Sequence, residues 1–208
     1  MYNHLYRRIY RHIAEMTWGA LLFIGIAHFI NRGFVQLNAN GTITTDTFDN
    51  LSGATLRSED IPSRILLSND GTLNNDGLVD VNGAHSLTVQ DGTFNNTGVI
   101  TINSNGGVLD LPGTDLVNLA AGTINIGTGA GASFISGTGS VTNQGLVDLN
   151  NGVIASNFIN DRDLTQTDNV YTTNGILTLN EAGSIDLSGA NTLDGPATFI
   201  RNDNVTFA

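Results

Sequence analysis

Cysteine is absent from this 208-residue chain, and so is lysine. The first absence excludes disulfides and thiolate-held metals. The second leaves 8 arginines as the whole complement of basic side chains, set against 19 acids. Proline is scarce, at 3, and histidine numbers 4. Three of the histidines, His4, His12 and His28, fall near the N-terminus, so chemistry that needs a histidine cluster has only His85 to draw on beyond them. No second apolar span follows the N-terminal one, so the sequence offers no pore built from several membrane-crossing helices.

The few charges are unevenly placed. The first 32 residues carry Arg7, Arg8, Arg11 and Arg32 against Glu15, a net +3; residues 33 to 208 carry four Arg against 18 acids, a net −14. A surface that acidic repels phosphate backbones, which argues against nucleic acid as a partner and leaves divalent cations, basic proteins and neutral glycans.

What the N-terminus does have is a basic, aromatic stretch, "MYNHLYRRIYRHIAEMT", running into the apolar "WGALLFIGIAHFI" at 18 to 30. A bilayer core needs roughly 20 helical residues, and shorter apolar runs belong to signal peptides or buried helices. The basic-then-apolar order is that of a secretory signal, although "HFINRG" offers no small-x-small cleavage site. A membrane-anchoring helix over 16 to 30 and an amphipathic helix that caps the domain remain alternatives. In each case residues 1 to 33 are expected to be helical and to stand apart from the domain at 34 to 208.

Glycine and asparagine are what the chain has in quantity, and they recur. "DGTLNNDGLVDVN" at 70 to 82 returns as "DGTFNNTGVITIN" at 91 to 103, and the pairs Gly71-Thr72, Gly92-Thr93 and Gly113-Thr114 follow each other at intervals of 21. Repeats of this length signal a stacked architecture. After the second Gly of each copy comes a run that alternates with period two. Its expected inward side chains are Val79 and Val81, Ile100 and Ile102, Ile124 and Ile126, Val147 and Leu149, Leu177 and Leu179. Asp80, Thr101, Asn125, Asp148 and Thr178 are expected to form an outward polar column beside them.

A second apolar segment follows in most copies, as "SLTV" at 86, "VLDL" at 108, "SFIS" at 133 and "SIDL" at 184. A third carries Leu73, Phe94, Val141 or Tyr171 inward. Three short strands per 21 to 30 residues, parted by Gly and Asn turns, describe one coil of a parallel β-solenoid. A single coil cannot offset its own ordering entropy, so coils must stack. Asn82, Asn103, Asn150 and Asn180 are the expected corner asparagines, tolerant of positive φ and able to bond along the axis. Residues 34 to 208 make about seven or eight coils, a rod on the order of 35 Å long at about 4.8 Å per coil. The segment "NDRDLTQTDN" at 160 to 169 breaks the pattern and is expected to protrude. The end of the chain reads as another coil starting, as in a fragment of something longer.

Copies of the type L-N-N-x-G-x-V-x-V-N joined by "DGT", behind a basic then apolar N-terminus, resemble the passenger regions of autotransporters and filamentous-haemagglutinin-like bacterial adhesins. The resemblance covers about residues 40 to 200. It implies an exported right-handed parallel β-helix, secreted or held at the outer-membrane surface, that binds a host or neighbouring-cell glycan or protein. The family's C-terminal translocator barrel has no counterpart here.

Candidate chemistry is sparse. Asp80 and Asp148 share the outward column, but at about 4.8 Å per coil they lie roughly 14 Å apart, beyond the ~5 to 9.5 Å of glycosidase carboxylate pairs. They read as solvated column residues. Asp161, Asp163 and Asp168 flank Arg162 in the expected loop and are weak candidates for calcium, the one metal or cofactor the sequence suggests. Threonine pairs spaced by one residue, such as Thr42 and Thr44, lack the coil period that an ice-binding array needs. The expectation is therefore a non-enzymatic cell-surface or secreted stalk or adhesin passenger. A polysaccharide lyase or hydrolase on the same fold is one alternative, and an inner-membrane-anchored solenoid touching lipid only through residues 16 to 30 is another. Open coil ends would also permit end-to-end self-association.

Overall fold

The computed structural model describes residues 22–37, 41–59, 62–82, 86–103, 106–127, 133–150, 152–154, 157–160, 164–167, 176–179, 185–188 and 198–201. All of their regular structure is strand. β1 (Leu22–Asn31), β2 (Phe34–Leu37), β3 (Thr42–Asn50) and β4 (Thr55–Glu59) come first. β5 (Ser63–Asn75), β6 (Leu78–Asn82), β7 (Ser86–Asn96), β8 (Val99–Ile102), β9 (Val108–Asp110) and β10 (Thr114–Asn118) follow. Next are β11 (Thr123–Ile126), β12 (Ser133–Ser136), β13 (Ser140–Asn143), β14 (Leu146–Asn150) and β15 (Gly152–Ile154). The last are β16 (Asn157–Asn160), β17 (Leu164–Thr167), β18 (Ile176–Leu179), β19 (Ile185–Ser188) and β20 (Thr198–Arg201).

Two sheets result. One runs β2-β4-β6-β8-β11-β14-β17-β19; the other runs β1-β3-β5-β7-β10-β13-β16-β18-β20, with β9, β12 and β15 branching from β7. Each ladder joins a strand to its counterpart one coil away, and each is parallel. This is the β-solenoid expected from the repeat, with about five turns between β1 and β13. Val79 lies beside Ile100, and Ile100 beside Ile124. The long strands β5 and β7 each cover two faces, bending where the register shifts after Leu66. Three faces per coil follow.

Columns of like side chains fill the interior. Val79, Ile100, Ile124 and Val147 form one column and are buried. Leu87, Leu109, Ile135 and Ile154 form the second. Phe29, Phe48, Leu73, Phe94, Leu116, Val141 and Phe158 form the third, in which the Phe29 and Phe48 rings stack at 4.8 Å and 11°. Phe158 stands where the sequence suggested Tyr171, which lies outside the described residues. Side-chain burial is not described for Leu149, Leu177 or Leu179.

A fourth column is polar and equally buried. Asn31, Asn50, Asn75, Asn96, Asn118 and Asn143 are all at most 4% exposed. Each of the first five donates Nδ2–H to Oδ1 of the next at 2.7 Å. Their second N–H goes to a main-chain carbonyl at the start of a β-strand in the next coil: Thr55, Leu78, Val99, Thr123 and Leu146, at 2.9 to 3.2 Å. The ladder sits at the corner between the two sheets. The corner asparagines are thus the last residues of β1, β3, β5, β7, β10 and β13, not Asn82 and Asn103. Nor do those two adopt positive φ; among the described non-glycine residues Asn69, Asp70 and Asp91 do.

Four further expectations change. The apolar N-terminal run is strand, not helix, from Leu22 to Asn31, and it pairs with β3. Phe29 and Asn31 point inward and His28 and Ile30 outward, so a run rich in Ile and Phe satisfied period two once a partner strand was at hand. Coil pairing therefore already includes residues before 34, while residues 1 to 21 lie outside the described ones.

Residues 160 to 169 do not form one loop. Leu164–Thr167 is a strand paired to β14, so Thr165, not Thr178, is the register partner of Asp148. β18 accordingly joins the other sheet, with Thr178 beside Ile159, and "SIDL" supplies β19 beside β17.

The third "GT" is out of phase by one. Thr114 pairs with Gly92, and Gly113 takes the positive-φ place of Asp91. The column Gly71, Gly92, Thr114, Gly139 is tightly packed: a Cβ on Gly92 would lie 2.3 Å from the Gly71 carbonyl oxygen. Thr114, intruding there, leaves its buried Oγ1 without a partner.

These positions yield three expectations for urea denaturation. Ile100→Ala should cost about 3 kcal/mol, against under about 1 for its outward neighbour Val99→Ala. Equal losses would contradict the assigned faces. Asn96→Ala, which strands a donor on Asn75 and an acceptor on Asn118, should cost about 3 kcal/mol, while Asn95→Ala costs about 1 or less. Thr114→Val, removing an unpaired hydroxyl at constant shape, should raise stability by about 1 kcal/mol; a loss would show that the hydroxyl is bonded.

Candidate functional site

With the interior assigned to packing, any function must use the outward side chains. On the outer face of the eight-stranded sheet the pairing places Gln36, Arg57, Asp80, Thr101, Asn125 and Asp148 in one column. Phe34, Thr55, Leu78, Val99, Thr123 and Leu146 form the column beside it. Period two puts both on the same side of the sheet.

The first three rungs hold the densest chemistry among the described residues. Arg57 donates Nε–H to Asp80 Oδ2 at 2.8 Å, and its Nη2 lies 2.8 Å from the same oxygen. Asn103 Nδ2 donates to Asp80 Oδ1 at 2.8 Å. The guanidinium also lies over the Phe34 ring, 5.6 Å from its centroid, within cation–π range. Beside it Gln36 Nε2 donates to Glu59 Oε2 at 2.8 Å. Asp80 is consequently 6% exposed, not a solvated column residue. A carboxylate in that position needs a partner, and Arg57 in the preceding coil supplies it.

Both oxygens of Asp80 are therefore held by neighbouring coils, which makes the carboxylate a clasp between three rungs. It has no second acid within glycosidase range in its own column, because Thr101 and Asn125 stand between it and Asp148. The spacing of about three rungs, roughly 14 Å, matches the sequence expectation.

A second polar chain runs along the other sheet. His28 Nε2 lies 2.5 Å from Asp49 Oδ2, Asn74 donates to Asp49 Oδ1 at 2.8 Å, and Asn95 donates to Asn74 at 3.2 Å. Sequence reading missed both this chain and the Arg57–Asp80 pair. Their members come from different coils 21 to 25 residues apart, and only the coil register reveals that they meet.

The calcium candidates Asp161, Asp163 and Asp168 lie outside the described residues, as does Arg162. Among the described residues no three His, Asp or Glu are grouped to hold a metal ion, and no helix is long and apolar enough to cross a membrane. No family model, curated protein or solved structure matches the chain.

The clasp makes a direct prediction. Arg57→Leu leaves Asp80 buried without its ion partner and should cost about 1 to 3 kcal/mol. The double variant Arg57→Leu/Asp80→Leu should recover most of that loss in the same denaturation assay. A double variant as unstable as the sum of both singles would show that the two side chains do not interact.

Proposed function

We propose that this chain is a non-enzymatic β-solenoid of right-handed winding, exported and used as a structural stalk or adhesive passenger at a cell surface. The observation that carries the reading is the unbroken amide ladder from Asn31 to Asn143, which ties each coil to the next inside the fold. A chain so built holds its shape from within and leaves the outward rungs free to differ. That is the physical requirement of a stalk or a display surface. The resemblance of its repeats to those of autotransporter and haemagglutinin-like adhesins supports the same reading, and so does the net −14 of residues 33 to 208, which disfavours nucleic acid.

The concentration of polar side chains on the outer sheet faces fits contact with a glycan or protein surface. The Arg57–Asp80 clasp fits a scaffold better than a reacting centre, since both carboxylate oxygens are already engaged.

Protease treatment of intact native-host cells tests the proposal. A surface stalk is degraded while cytosolic markers survive, and the chain fractionates with the envelope or the medium. Recovery of the protected chain in the soluble cytosolic fraction with Met1 intact would overturn export and surface display together.

A further inference from the structure

We draw no further inference here: the strongest candidate, the half-exposed stripe of Phe34, Leu78, Val99 and Leu146 beside the Arg57–Asp80 pair on the outer face of the eight-stranded sheet, carries nothing because the pair is already satisfied within the fold and nothing in the structure shows what covers the stripe.

Discussion

The amide ladder is the constraint on which the other features rest. A buried corner between two sheets must satisfy polar groups that water cannot reach, and it must do so identically in every coil. Asparagine meets both needs, because one amide carries a donor pair and an acceptor on the same short side chain. Aspartate would place like charges one above the other, and an aliphatic side chain would leave the strand-start carbonyls of Thr55, Leu78 and Val99 without the N–H they receive. Each Asn is thus fixed by its neighbours and fixes them in turn. The aliphatic columns can then align rung over rung.

Fixing one corner frees the others. The steps along the ladder span 19, 25, 21, 22 and 25 residues, so coil length varies while the corner stays in register. The extra residues are taken up elsewhere in the coil, as at the bend of β5, where Asn69 and Asp70 adopt positive φ. Outward, clasps such as Arg57–Asp80 and His28–Asp49 join coils by pairings that differ from rung to rung. Inward repetition with outward variety lets a solenoid serve as a scaffold whose surface changes without cost to its core.

The architecture was legible because burial enforces period two. Val79, Ile100 and Ile124 alternate with polar residues, and nothing but a parallel stack accounts for that pattern returning at coil spacing. The ladder asparagines were visible but misassigned. Asn75 and Asn82 each lie near a glycine, and only the three-dimensional corner shows which of them faces in. Phase was lost at Gly113, where one added residue moved Thr114 into a glycine column, and again at Leu164–Thr167, where a polar strand replaced an aliphatic one. The N-terminal run misled for a different reason: an unbroken apolar stretch suits helix and strand alike, and a partner strand decides between them. The candidate site was the least legible, since Arg57 and Asp80 are 23 residues apart and nothing local links them.

The most direct test of the account is hydrogen exchange of the asparagine side-chain amides, followed by NMR in the folded protein. The Nδ2 protons of Asn50, Asn75, Asn96 and Asn118 should exchange far more slowly than those of the outward Asn95, at rates close to those of the core backbone amides. Exchange of the four at the Asn95 rate would mean that the corner is open to water, and the stacked-coil account would fall with it.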